Sequence, residues 1–161
     1  MPYWQLFYHI VWATKNRAPL ITDDNTPMIY GFLRSKAIGL GATLFALNGM
    51  ADHVHMVAAI PPSMAVAKFI GQVKAVASTK FNKSGISQQP LVWQDEYGIF
   101  SFDGKRLPNY VNYVDRQKEH HAQKAVIPVL ERLSGAEVHM IRDTSLSCDV
   151  DASDWRREME A

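Results

Sequence analysis

Cysteine is almost missing: Cys148 is the only one in 161 residues. A disulfide framework within the chain and any multi-cysteine zinc site are thereby excluded. Long apolar runs are missing as well, and none approaches the roughly 18 to 20 residues that a membrane span needs. The opening residues, Met1-Pro2-Tyr3-Trp4-Gln5, have neither the basic start nor the apolar stretch of a signal peptide. A cytoplasmic protein is the expectation. There is no internal repeat, low-complexity tract or long linker. Nor is there a large excess of one charge, since the net value is +1. The charge is unevenly spread, however. Residues 1–142 hold 15 Lys/Arg against 10 Asp/Glu, while residues 143–161 hold 2 against 6. A mildly basic body therefore carries an acidic tail, a balance that tolerates a polyanionic partner without requiring one.

What the sequence does have is material for a core. Apolar residues make up 47% and charged residues 20%, in a length that suits one domain. The expected division is a single domain over residues 1–135 and a poorly patterned acidic tail over residues 136–161. Tyr3 to Thr14, rich in aromatic and β-branched residues, predicts a strand, and Lys15-Asn16-Arg17 a basic loop after it. Asn25-Thr26-Pro27 predicts a helix start, followed by Met28, Ile29, Phe32 and Leu33 at helical spacing. Ala42–Leu47 and His53–Ile60 read as strands joined at Asn48-Gly49, with Met50 to Asp52 free to lengthen the turn. Ser63 is the expected cap of a second helix, whose stripe is Val66, Phe69, Ile70, Val73, Ala77 and Phe81. Leu91 to Phe102 reads as a fourth strand with a bulge at Gly98. Leu107 to Lys124 predicts a third helix, and Ile127 to Leu133 a short fourth one capped by Gly135. The order β-α-β-β-α-β followed by helix is an α+β, ferredoxin-like arrangement: a four-stranded antiparallel sheet with an additional C-terminal helix. Fold class alone assigns no function.

Two clusters carry chemistry. In Asp52-His53-Val54-His55, strand alternation sends both histidines to one face, roughly 7 Å apart along the chain. Such a pair either packs on the sheet or chelates a divalent ion. By the same alternation Asp52 is expected on the opposite face, with a turn or a contact behind the histidines as its other reading, and no acidic cluster is seen to accompany the histidines. On the third helix Tyr113, Gln117 and His121 recur every four residues and share a face. Tyr110 lies one turn earlier. An ordinary half-buried anchor is the other reading of Tyr113.

Taken together, these residues resemble the HUH-type single-tyrosine transposases, the transposases of the smallest bacterial insertion sequences, and the related REP-associated tyrosine transposases. The resemblance rests on His53-Val54-His55, on Tyr113-Val114-Asp115-Arg116-Gln117 followed by His120-His121, and on Tyr8-His9-Ile10-Val11-Trp12 with its basic loop. Lys74 and Ser78 on the second helix and Trp93-Gln94-Asp95-Glu96-Tyr97 add to it. It spans about residues 3 to 124. It implies that Tyr113 is the nucleophile, with Tyr110 as fallback, in metal-dependent cleavage and rejoining of single-stranded DNA through a 5′-phosphotyrosine. It makes Gln117 the third metal ligand beside His53 and His55, with His121 as an accessory. The N/O donor set suits Mg²⁺ or Mn²⁺. The implied partners are single-stranded DNA with hairpin ends and a second copy of the chain in a homodimer. No membrane and no nucleotide cofactor are expected. Lys15, Arg17, Lys68, Lys74, Ser78 and Lys83 are the expected nucleic-acid contacts, and Trp12 and Trp93 are either base-stacking platforms or core. A domesticated, inactive hairpin-binding relative is the alternative.

Overall fold

The structure, a computed structural model, describes residues 2–133. The acidic tail and the Gly135 cap lie outside the described residues. Strands β1 (Phe7–Ala13), β2 (Thr43–Gly49), β3 (His53–Ala59) and β4 (Gly98–Phe102) form one sheet in the order β2-β3-β1-β4. Every pairing is antiparallel. Helices α1 (Thr26–Gly39) and α2 (Val66–Ser84) interrupt the strands as expected, and α3 (Leu107–Asp115) and α4 (Gln117–Ala122) follow them. This is the α+β, ferredoxin-like arrangement with added C-terminal helices.

The two central strands are buried on both faces, β3 along its whole length, although they carry His9, His53 and His55. Ile10 and Trp12 of β1, with Val54 and Met56 of β3, meet Ile29 and Leu33 of α1 and Phe69 and Ile70 of α2 in the main core. Trp12 is 1% exposed and meets Trp93 edge-on, with ring centroids 6.0 Å apart. Both tryptophans are therefore core. Trp12→Ala is expected to lower stability by about 3–5 kcal/mol, the usual loss for an aromatic cut out of a close-packed interior; urea unfolding measures it. The residues between them point the other way. His9, Val11 and Ala13 share the second face with His53, His55 and Val57, as the register Val11↔His55 requires. Tyr113, Val114 and Leu130 cover that face.

Several boundaries differ from the sequence reading, each for a local reason. The fourth strand is shorter than Leu91–Phe102, because the Gln94 and Asp95 carbonyls turn inward to accept hydrogen bonds from Lys74 Nζ. Upstream of Gly98 only an isolated bridge forms, Trp93 to Thr14 just past the end of β1, flanked by Gln94 N–H donating to the Ala13 carbonyl and Lys15 N–H donating to the Val92 carbonyl. Helix α2 starts after Ala65 instead of at Ser63. The β2–β3 turn does include Met50 to Asp52, closed by Met50 N–H donating to the His53 carbonyl. The bulge lies in β2, between Leu44 and Ala46, not at Gly98. Gly98 instead permits a close crossing: a Cβ there would lie 1.9 Å from the Arg132 carbonyl oxygen and 2.9 Å from Val11 Cγ1. The predicted helix over residues 107–124 breaks at Arg116, where Asn48 Nδ2 donates to the Asp115 carbonyl from outside. The predicted fourth helix is only a 3-10 turn, Pro128–Glu131.

Candidate functional site

The second sheet face gathers the titratable groups. His53 and His55 are both buried on β3, with ring centroids 5.1 Å apart. Helix α3 lays Tyr113 across them and the 3-10 turn brings Glu131 between them. Glu131 Oε2 lies 3.1 Å from His55 Nε2, 3.4 Å from His53 Nε2 and 3.8 Å from His121 Nε2. Tyr113 donates its hydroxyl hydrogen to Glu131 Oε1 at 2.6 Å and accepts from the Ile127 N–H at 3.0 Å. One carboxylate therefore joins the histidine pair to the tyrosine within a single chain.

Each histidine has a partner behind it. His53 Nδ1–H donates to Asp52 Oδ1 at 2.7 Å, and Asp52 Oδ2 accepts from Arg17 at 3.1 Å. Asp52 precedes the strand, so alternation does not govern it and its side chain curls back onto its neighbour. This corrects the opposite-face expectation. His55 Nδ1 instead faces His9 Nε2 at 2.9 Å.

The electrostatics follow from burial and from Glu131. Burial pushes the Tyr113 hydroxyl up, the hydrogen bond to Glu131 adds to it, and its pKa reaches about 12. Burial also raises Glu131, but hydrogen bonding and attraction to His55 outweigh it and hold the carboxyl at about 2. His9 is pushed down to about 3, by burial first and by His55 second. Burial lowers His55 and His121 as well, opposed by Glu131.

The donor set fits a divalent cation. His53 Nε2, His121 Nε2 and Gln117 Oε1 are buried without a hydrogen-bond partner among the described residues. A neutral His53 that donates from Nδ1 aims a bare Nε2 lone pair at a carboxylate, an arrangement that a shared cation stabilises. One ligand atom each from His53, His55 and Glu131 lies within 4.8 Å of the others. Gln117 is fully buried one turn after Tyr113, with its Nε2 3.5 Å from the Tyr113 carbonyl. Tyr110 borders the same face one turn earlier, its ring flat on Phe102 at 4.0 Å and 6.0 Å from that of His9, and its hydroxyl has no hydrogen bond to Glu131 among the described residues.

The expected nucleic-acid contacts are scattered. Lys15 and Arg17 are exposed and border a groove of about 470 Å³ with Val92 and Gln94. Lys68 and Lys83 are exposed on α2, which packs on the sheet face away from the histidines. Lys74 and Ser78 are turned to internal contacts: Lys74 is 7% exposed and bonded to two carbonyls, and Ser78 donates to the carbonyls of its own helix. Burial lowers the Lys74 pKa, against the pull of Asp95. Sequence reasoning missed Glu131 and His9; for Asp52 it is the second reading, a contact behind the histidine, that the structure has. A lone acid in the apolar stretch Ile127–Leu133 was the available sign of the first. His9 joins the pair only through the β1–β3 register.

A family model described as "Transposase IS200 like" matches residues 2–117. The transposase for insertion sequence element IS200 of Salmonella typhimurium is 32% identical over 75 residues, 47% of this chain and 49% of the relative. The matched stretch thus spans about half the length of that relative. The ISDra2 transposase TnpA of Deinococcus radiodurans is 26% identical over 121 residues, 72% of this chain and 86% of the relative. In fold, the chain is similar to a crystal structure from Deinococcus radiodurans assigned as a transposase, with a TM-score of 0.58, 24% identity, and coverage of 73% of this chain and 95% of that one. It is also similar to a REP-associated tyrosine transposase bound to a REP hairpin, with a TM-score of 0.56, 12% identity, and coverage of 78% and 76%. With more than half its length matched by the family model, the chain belongs to the IS200-like transposases.

Proposed function

We propose that this transposase cleaves and rejoins single-stranded DNA at insertion-sequence ends through a 5′-phosphotyrosine intermediate. The observation that carries this reading is the meeting of the Tyr113 hydroxyl with the His53–His55 pair around Glu131. The Tyr113 oxygen forms a bond to phosphorus as the P–O3′ bond breaks. The phenol proton passes to the Glu131 carboxylate, and the 3′-oxygen takes a proton from the same carboxyl as it leaves. The phosphodiester energy stays in the tyrosine link, so rejoining reverses the step without a nucleotide cofactor. Mg²⁺ or Mn²⁺ held by His53 and His55, with Gln117 or Glu131 as the third ligand, would polarise the scissile phosphate and stabilise its developing charge.

A cavity of about 310 Å³, lined by Tyr113 and Tyr110 with Arg106, Asn109, Ile127 and Leu130, gives a flexible strand a path to the Tyr113 hydroxyl. Hairpin ends are the recognition element by likeness to the neighbour bound to a REP hairpin. A homodimer rests on the family resemblance alone, because one chain by itself already brings the tyrosine to the histidines. Action on DNA supports a cytoplasmic location, and among the described residues no helix is long and apolar enough to cross a membrane. The domain over residues 1–135 holds every part of the proposed site.

The basic residues separate by role. Lys15→Ala is expected to weaken binding and to reduce the log–log salt slope by about one unit, as loss of one phosphate contact does. Lys74→Met is expected to leave that slope unchanged and to lower stability by about 1.5–3 kcal/mol, the worth of hydrogen bonds to a charged group. Filter binding across a salt series, beside thermal melts, checks both.

The decisive test uses the full chain, Mn²⁺ and a 3′-labelled single strand carrying the element end. A labelled protein band that survives denaturing electrophoresis is expected. Salt-sensitive binding by the wild-type protein with no such band is the behaviour of an inactive hairpin-binding relative and would overturn the reading.

A further inference from the structure

His9 has no part in the chemistry described so far, yet it is fully buried against a histidine of the site. Proton bookkeeping shows what the contact demands. Glu131 is a carboxylate and can only accept, so its 3.1 Å bond to His55 requires the hydrogen on His55 Nε2. A neutral imidazole carries one N–H. His55 Nδ1 is then a lone pair, and the 2.9 Å contact works only with His9 Nε2 donating. His9 Nδ1 is left bare, and it is buried with no partner among the described residues. A cation on His55 needs the Nε2 lone pair instead. The hydrogen of His55 must then sit on Nδ1, and the same contact works only with His9 Nε2 accepting. The hydrogen of His9 moves to its Nδ1. Each ring holds one proton before and after, and one hydrogen bond survives with its direction reversed. His53 needs no such change, because Asp52 already keeps its hydrogen on Nδ1.

We propose that His9 is a positioning residue for His55, and that the two rings switch tautomer together when a divalent cation loads. This rests on the metal-site reading above. His9 is suited to the task because it cannot swing away. Its ring lies 5.0 Å from that of His55, 6.2 Å from Phe100 and 6.3 Å from Tyr113. Histidine is the side chain whose ring nitrogen accepts or donates in the same place without moving.

The test uses the full chain with Mn²⁺ as the binding probe, followed by electron paramagnetic resonance, and Zn²⁺ as a diamagnetic probe for long-range ¹H–¹⁵N imidazole spectra. His9→Phe is expected to weaken Mn²⁺ binding about 10- to 100-fold, the usual effect of removing a partner behind a ligand. His9→Gln, whose amide presents either a donor or an acceptor, is expected to restore most of the affinity. In the wild-type protein His9 and His55 should pass from Nε2–H to Nδ1–H together during the Zn²⁺ titration, with His53 at Nδ1–H throughout. Unchanged Mn²⁺ affinity in His9→Phe, or a His9 tautomer that stays fixed, overturns the proposal. If His9→Phe fails to fold, the wild-type titration decides alone. His53→Ala separates the two readings. If it weakens Mn²⁺ binding and His9→Phe does not, only the role of His9 falls; if neither does, the metal site falls with it.

Discussion

Tyr113→Phe is expected to abolish the covalent adduct with single-stranded DNA while leaving non-covalent binding in place. The substitution removes one oxygen from a ring that is 5% exposed and packed among Val57, Val114 and Leu130. The ring that remains fills the same space and still lies against His120. What disappears is the only atom of that side chain able to attack phosphorus. The variant also leaves the Ile127 N–H without its acceptor and Glu131 without one donor. A loss of about 1–3 kcal/mol in stability follows from that, so a melt should accompany the assay to separate unfolding from lost chemistry. Tyr110→Phe is the matched control. Its hydroxyl sits on a ring stacked against Phe102, and the adduct is expected to persist. A band that survives Tyr113→Phe and vanishes in Tyr110→Phe would transfer the nucleophile to the earlier turn.

The paired change His53→Ala and His55→Ala should remove tight Mn²⁺ binding, by at least about 100-fold, beyond the loss typical of a supporting residue. These rings supply the nitrogen donors nearest Glu131. Without them Glu131 loses most of the attraction that holds its carboxyl at about 2, and only the Tyr113 hydrogen bond is left to oppose the upward push of burial. Adduct formation should fall with metal affinity. Mn²⁺ binding that is unchanged in the double variant would show that the cation, if any, sits elsewhere. The measurement is the same resonance titration, run with circular dichroism to confirm that the sheet is intact.

The sheet was legible because its information is local. The aromatic and β-branched content of Tyr3–Thr14, the Asn48-Gly49 turn and the stripe from Val66 to Phe81 each point to an element without reference to the others. The histidine pair and the Tyr113–Gln117 spacing were legible for the same reason. Glu131 and His9 were not, and Asp52 was so only as the second of two readings. Glu131 lies 76 residues after His55, and only the path of the chain over β1 and β4 brings it in. Asp52 looked misdirected because a strand rule was applied one residue beyond the strand. His9 needed a register that no single segment contains. Lys74 misled in the opposite sense: a lysine on a helix reads as solvated until the carbonyls that curl toward it are known.

The bareness of Gly98 carries weight at a distance. The Arg132 carbonyl passes so near the β4 backbone that a single methyl there would collide with it. The next residue along that crossing is Leu133, seated on Val11 and Ala13, and the one before it is Glu131. A change as small as Gly98→Ala would prise this crossing off the sheet and draw its acid away from both imidazoles and the phenol. The smallest residue in β4, which makes no contact of its own with the reacting groups, thus acts as the hinge pin on which their meeting depends.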